Sequence, residues 1–286
     1  MTHKRPLKLG LIGRGLKNSR AKMLHEMLGQ LTGIDVCYTP IDLDDFPEMT
    51  VVEQLEICQE AGFRGVNVTH PFKKQARAFC NDTISLPTTL DSINTVLFEN
   101  GNVVGANTDY TGFKHAFQHK LDIGMPSKVL MLGAGGVGIA IATGLMELGL
   151  QELIVADPNK ESLERTLKLF SNRSMAVSKA NCLEEAMDWA NGLVNASPIG
   201  MHQYRGNPFP EQSIQKQSWA FDAVYTPENT DFLRSCRDRN IRTLSGFQLF
   251  FHQGIDAFEL FTGLTVDADL AERQFLQEHP LVLDYA

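Results

Sequence analysis

No stretch of this 286-residue chain approaches the ~20 uninterrupted apolar residues that a membrane span requires. Clustered positive charge is missing too: 26 Lys plus Arg stand against 34 Asp plus Glu, for a formal charge of -8. Nucleic-acid and anionic-membrane binders need basic patches, so neither partner class is expected. Cysteine is scarce. Cys37, Cys58, Cys80, Cys182 and Cys236 are odd in number, far apart, and form no CxxC pair. That argues against a disulfide framework and for reduced, buried thiols in a cytoplasmic protein. The basic residues Lys4, Arg5 and Lys8 lead into an apolar segment that ends at Gly13, too short for a signal-peptide core. Disorder is excluded by composition, with 43% hydrophobic and 21% charged residues. The length fits two domains or one large one.

What is present is an alternation of strand-like and helix-like segments. Residues 7–13 read as a buried strand and 21–31 as a helix with Met23, Leu24, Met27, Leu28 and Leu31 on one face. Val36-Cys37-Tyr38 suggests a second strand, Met49 to Gly62 a helix, and Gly65 to Thr69 a strand ending in a polar loop. Thr95 to Phe98 and Val103-Val104 flank Glu99-Asn100-Gly101-Asn102, a hairpin signal. Further strands are expected at 127–132, 152–156, 192–195 and 219–223, with helices at 139–148, 160–170 and about 230–239. The alternation predicts an α/β fold with a parallel, doubly wound sheet.

Gly133-Ala134-Gly135-Gly136-Val137-Gly138 matches G-x-G-x-x-G. The pattern alone is weak, but here it follows a strand, opens a helix and has Asp157 at the end of the next strand, 19 residues past Gly138. Gly133 permits a tight turn, Gly135 lets backbone approach a pyrophosphate, and Gly138 lets helix pack on strand. The helix N-terminus then offers N–H groups and a positive dipole end to phosphates. A carboxylate at 157 accepts hydrogen bonds from the adenosine ribose and repels a 2′-phosphate, which favours NAD over NADP. The competing readings are a turn that serves packing alone, and an Asp157 that merely caps the helix after Pro158-Asn159-Lys160. Gly13-Arg14-Gly15 resembles a second such turn, but Asn18 occupies the third glycine position.

Asn67-Val68-Thr69-His70-Pro71-Phe72-Lys73 places polar side chains at a strand's carboxyl end, where α/β sheets bind ligands. Asn94-Thr95 and Asn107-Thr108-Asp109 add two more polar clusters. A lysine beside an aspartate, facing a nicotinamide, suits alcohol oxidation: the base takes the hydroxyl proton while carbon gives up hydride. On residues alone Lys73 is equally a solvated lysine, and Asp109 equally an N-cap for a helix from Gly112. His115 and His119, four apart, lack a third metal ligand nearby and read as surface residues, so no metal is expected. The sequons at Asn67 and Asn172 have no secretory signal to give them meaning.

Taken together these segments resemble the shikimate/quinate dehydrogenase family, nearly end to end. Asn67-Val68-Thr69-x-Pro71-x-Lys73 is similar to its catalytic lysine motif, Asn94-Thr95 to its Asn-Thr pair, and Asn107-Thr108-Asp109 with Gly112 to its aspartate motif. Asn195-Ala196-Ser197-Pro198-Ile199-Gly200-Met201 resembles its nicotinamide-side loop. Asp222-x-x-Tyr225-x-Pro227-x-x-Thr230 and Gln253-Gly254-x-x-x-Phe258 complete the set. The resemblance implies Lys73 and Asp109 as the catalytic pair, with Lys73 the acid/base. It implies that Thr69, Asn94, Asp109 and Gln253 hold substrate hydroxyls, that Tyr225 lies on the substrate side, and that Gly246 lies on the cofactor side. The expected organisation is a substrate domain over residues 1–110 completed by helices from 247–286, a Rossmann NAD domain over 111–246, and an active-site cleft between them. The expected partner is a small cyclic hydroxy acid, in a monomer or homo-oligomer.

One motif departs. The family pattern G-x-P-[IV]-x-H-S-x-S-P-x-x-H-N carries two serines that grip the substrate carboxylate. Here Ser19 matches the first, whereas Ala21 replaces the second and donates no hydrogen bond. The Gly-x-Gly-Leu and Ser-Arg pattern resembles the NAD-linked quinate/shikimate branch, in agreement with Asp157. Losing one charge-assisted bond weakens carboxylate binding by roughly 1.5–3 kcal/mol unless Arg20 or Lys17 compensates. The expected reaction is reversible NAD-dependent oxidation of quinate or shikimate to its 3-dehydro ketone. The alternatives are a paralogue for a related cyclic hydroxy acid and a non-catalytic metabolite or dinucleotide sensor.

Overall fold

Strand β1 (Leu7–Gly13) is apolar and almost wholly buried, and it pairs in parallel with β2 (Val36–Asp42) on one side and β3 (Gly65–Val68) on the other. The computed structural model to which it belongs describes residues 5–121 and 123–280. These form two compact units, one comprising the chain up to Thr108 together with Gln253–Pro280, the other Asp109–His252. Among the described residues, no helix is long and apolar enough to cross a membrane.

The first unit holds a six-stranded sheet in the order β2-β1-β3-β5-β6-β4, where β4 is Asp82–Thr83, β5 Thr95–Glu99 and β6 Asn102–Ala106. It is mixed, not fully parallel: β5 runs antiparallel to both β3 and β6. The hairpin sets the β5–β6 pair. Asn100 and Gly101 adopt φ of 50° and 81°, the left-handed pair that a tight two-residue turn requires, so the chain doubles back instead of crossing over. Helices α1 (Ala21–Thr32), α2 (Val51–Glu60) and α3 (Lys73–Phe79) flank the strands. Helix α2 starts two residues after the expected Met49, because Thr50 and Glu53 form a capping box. One face of the sheet packs Ile12, Val66, Val68 and Val96 against Leu55, Cys58 and Ala76. The C-terminal segment Gln253–Pro280 also belongs to this unit. The Arg64 Nε donates to the Phe261 carbonyl at 2.9 Å, and the Arg20 guanidinium lies 4.8 Å over the Phe275 ring of α10 (Ala268–Glu278) while donating to the His279 carbonyl at 2.6 Å. Arg20 is thus committed to a helix contact.

The second unit begins along α4 (Thr108–Lys120) and contains β7 (Lys128–Leu132), α5 (Gly136–Glu147), β8 (Glu152–Ala156), α6 (Lys160–Phe170), β9 (Ala176–Lys179), α7 (Leu183–Trp189), β10 (Gly192–Asn195), β11 (Trp219–Asp222), α8 (Asp231–Arg237), β12 (Arg242–Leu244) and the start of α9 (Gly246–Thr262). All its strand pairs are parallel, in the order β12-β11-β10-β7-β8-β9. Counted from β7 this is 6-5-4-1-2-3, the doubly wound dinucleotide-binding order, with its switch point between β7 and β10. Phe113 and Phe117 of α4 pack edge-on against Phe221 and Trp219, each with ring centroids 5.0 Å apart. The five cysteines are free, but only Cys58, Cys80 and Cys236 are buried; Cys182 is half-buried and Cys37 exposed, since it sits on an outward position of the edge strand β2.

Candidate active site

In the first unit the carboxyl ends of β1, β3 and β6 and the amino end of the antiparallel β5 bring polar side chains together. The Thr69 N–H donates to the Ile12 carbonyl at 2.9 Å, which carries β3 one residue further before the chain turns into α3. Lys73 opens that helix and is half-buried. Its carbonyl accepts from the Ile93 N–H at 3.1 Å, so the backbone that bears Asn94 is pinned beside it. Asn94 is 3% exposed and acts as a hub. Its Oδ1 accepts from the Thr108 N–H at 2.7 Å, and its Nδ2 donates to Thr108 Oγ1 at 3.0 Å and to Gln253 Oε1 at 3.3 Å. Asp109 follows Thr108 within the first turn of α4, so that helix starts ahead of Gly112 and Asp109 is not its N-cap.

Behind the hub lies a second polar layer. The Tyr38 hydroxyl donates to Asn67 Oδ1 at 2.9 Å, and Asn67 Nδ2 donates to Thr95 Oγ1 at 3.2 Å. His25 stacks on Tyr38 with centroids 4.6 Å apart. Burial pushes its imidazole down to about 3, with an Asn67 hydrogen bond opposing, so the ring stays neutral. Ser19 sits at the head of α1, where its Oγ accepts from the Ala21 N–H at 3.3 Å. Ala21 is 9% exposed, a methyl at the first position of α1.

The would-be second glycine turn is already filled from within. Asp42 accepts from the Leu16 N–H at 2.7 Å and the Gly15 N–H at 3.2 Å, the donors a phosphate would need. Slight burial raises the Asp42 carboxyl, but these bonds, one from Asp44, and the Arg14 charge outweigh it and hold the group below its ordinary value.

In the second unit the glycine turn stands at the sheet's switch point. Gly133 has φ of 101°, and a Cβ there would lie 2.5 Å from the Ala196 carbonyl carbon, so only glycine fits. A Cβ on Gly138 would run into the Gly133 carbonyl oxygen. Gly135 and Gly136 are the opposite case: a Cβ on either meets nothing within 4 Å. This is an open cradle at the N-terminus of α5, a helix end that no side chain caps. Asp157 reaches into the turn, accepting from the Ala134 N–H at 2.6 Å through one oxygen and from the Asn159 N–H at 2.7 Å through the other. It does not cap α6; Asn159 does, accepting from the Ser162 N–H at 3.0 Å. Each Asp157 oxygen keeps a lone pair for a ribose hydroxyl. Val137 lies in the first turn of α5, and Gly246 starts α9 where a Cβ would strike the Ala223 and Val224 carbonyls. The residues present therefore fit a dinucleotide. Tyr225 belongs to this unit, 37% exposed and stacked on Phe250 with centroids 5.5 Å apart.

Beside the turn is a buried carboxylate that motif reading quotes without a role. Asp222, fully buried at the end of β11, accepts from Asn195 Nδ2 at 2.9 Å, the Val224 N–H at 3.0 Å and Thr230 Oγ1 at 2.7 Å. Burial pushes its carboxyl from an ordinary 3.8 up to about 6, and the three donated bonds pull the other way. Its charge acts on Cys236 of α8, whose thiol burial pushes up to about 12, so it stays neutral. His115 and His119 are both exposed on α4, and among the described residues no group of three metal-ligating side chains assembles.

Residues 11–96 match the family model described as the shikimate dehydrogenase substrate binding domain. The chain is 34% identical over 275 residues to a quinate/shikimate dehydrogenase (NAD(+)) of Corynebacterium glutamicum, covering 94% of this chain and 97% of that one. The chain belongs to the shikimate/quinate dehydrogenase family. A shikimate dehydrogenase (NADP(+)) of an Arthrobacter species is 33% identical, covering 94% of each chain. Among solved structures, the quinate dehydrogenase from Corynebacterium glutamicum in complex with NAD superposes with a TM-score of 0.89 at 33% identity, over 95% of this chain and 99% of that one. The two α/β units and the 6-5-4-1-2-3 sheet are thus those of the shikimate/quinate dehydrogenase family.

Proposed function

We propose that the chain catalyses the reversible NAD-dependent oxidation of quinate or shikimate to the corresponding 3-dehydro ketone, with Lys73 as general acid/base and Asp109 as its partner. The reading rests chiefly on the hub at Asn94, where Thr108 and Gln253 are gathered by hydrogen bonds and the Lys73 backbone is held alongside. A ring with several hydroxyls needs a rigid set of donors and acceptors, and buried amides fixed by their own partners provide one. Thr69, Asn94, Asp109 and Gln253 hold ring hydroxyls, and Ser19 and Tyr225 complete the substrate side. Lys73 takes the proton from the reacting hydroxyl and returns it in the reverse direction.

The cofactor is NAD. Residues Gly133 to Gly138 cradle its pyrophosphate on the α5 N-terminus, Asp157 takes the ribose hydroxyls, and Gly246 admits close backbone packing at the end of β11. When bound, the nicotinamide supplies the hydride acceptor. Asp157 sets the preference by meeting a 2′-phosphate with a carboxylate already held in place by two N–H groups.

The test is an initial-rate measurement on purified protein that crosses quinate and shikimate with NAD⁺ and NADP⁺. Robust NAD⁺ reduction with either acid supports the reading, and the ratio of kcat/KM values identifies the substrate. Negligible turnover in all four combinations overturns it, and Ala21 then directs the search to a related cyclic hydroxy acid that does not need the second hydroxyl.

A further inference from the structure

Asn195 is fully buried at the end of β10, and all four of its side-chain hydrogen-bonding positions are used. Nδ2 donates to the Ile199 carbonyl at 2.8 Å and to Asp222 Oδ1 at 2.9 Å. Oδ1 accepts from the Ser197 N–H at 3.1 Å and the Ser197 hydroxyl at 2.6 Å. Ser197 Oγ in turn accepts from the Ile199 N–H at 3.3 Å. The amide thus folds the segment 196–200 back on itself. Asp222 fixes which way the amide points: a flipped Asn195 would set its oxygen against a carboxylate. Asp222 is itself held by Thr230, which caps α8 by accepting from the Leu233 N–H at 3.3 Å.

The segment so held borders the dinucleotide cradle. The Ala196 N–H donates to the Leu132 carbonyl at 2.7 Å, and a Cβ on Gly133 would lie 2.8 Å from the Ser197 nitrogen. A Cβ on Gly138 would lie 3.5 Å from that of Ala196. Resting on the reading that this cradle takes NAD, we infer that Asn195, Asp222 and Thr230 are positioning residues that set the loop 196–200 in the shape the dinucleotide binds. Asn195 and Asp222 are fully buried, so they act through the loop and not by touching the ligand. A loop tied by these buried bonds needs less ordering on binding than one without them, which favours affinity.

The test measures NADH dissociation constants by fluorescence titration, with KM values for both substrates, on folded wild type, Asn195→Ala, Ser197→Ala and Asp222→Asn. Asn195→Ala unties Ser197 and Ile199 and should weaken NADH about ten- to a hundredfold. Ser197→Ala removes fewer bonds at a half-buried site that folds regardless, and should weaken NADH about fivefold. Asp222→Asn keeps an acceptor toward Asn195 and Val224 but removes the acceptor of the Thr230 hydroxyl, so it should weaken NADH less than Asn195→Ala does. The KM of the hydroxy acid should move in none of them. Unchanged NADH affinity in folded Asn195→Ala, or in Ser197→Ala if the former fails to fold, overturns the inference. Equal weakening of NADH and hydroxy acid in all three variants overturns it as well, as general damage. A wild type that binds no NADH removes the cofactor reading itself, and this inference with it.

Discussion

Replacing Asp222 with Asn should stabilise the second unit, and only above a defined pH. The wild-type carboxyl titrates at about 6 when folded against an ordinary 3.8. A raised carboxyl pKa means that the folded state prefers the protonated form. Its contribution to stability is present in full below the unfolded pKa and is lost as pH rises through the folded one. The shift of about two pH units corresponds to a penalty of about 3 kcal/mol once pH passes 7, and to less than about 1 kcal/mol at pH 4. Asn carries no charge at either pH; its oxygen keeps the bonds donated by Asn195 and Val224, and its NH₂ turns to Thr230 Oγ1 as the O–H of the protonated acid does. The stability difference between variant and wild type should therefore grow from near zero at pH 4 to about 3 kcal/mol at pH 7.5. Urea denaturation followed by tryptophan fluorescence reads this locally, because the chain's two tryptophans, Trp189 and Trp219, both lie in the second unit and Trp219 is in the same strand as Asp222. A difference that is the same at both pH values, or a variant less stable at pH 7.5 than at pH 4 relative to wild type, would refute the argument.

Three further outcomes bear on the proposed reaction. Lys73→Ala should lower kcat by about 10²–10⁴ with NADH affinity unchanged; a normal kcat removes the lysine from the mechanism. Asp157→Ala should lower the ratio of NAD to NADP kcat/KM by about tenfold or more, because the carboxylate that disfavours a 2′-phosphate is gone; equal or greater NAD selectivity refutes that role. Ala21→Ser restores a hydroxyl at the head of α1 and should lower the KM of quinate or shikimate by about tenfold; an unchanged or higher KM shows that the carboxylate is held elsewhere.

Legibility in the sequence followed how local each feature is. Strands β1, β8 and β10 are read at their observed bounds, because continuous apolar segments between turn residues need no tertiary knowledge. The hairpin at Asn100-Gly101 is equally local, yet the mixed sheet is not: it depends on β5 pairing antiparallel with β3, some thirty residues earlier in the chain. Strands β9 and β12 escape detection for a different reason. Ala176–Lys179 is a largely exposed edge strand and Arg242–Leu244 spans three residues, so neither carries an apolar signal. The site divides in the same way. The glycine turn and Asp157 announce themselves by spacing, whereas the bond between Asn94 and Gln253 joins residues 159 positions apart, and the path from Tyr38 through Asn67 to Thr95 crosses three strands. Only the family resemblance groups Asn67, Asn94, Thr95 and Gln253, and Tyr38 joins them only through its bond to Asn67. Asp222 shows the limit most clearly. Its motif is visible, but a carboxylate with no exposed surface and three donors has a role that emerges only when Asn195, Thr230 and the loop they hold are seen around it.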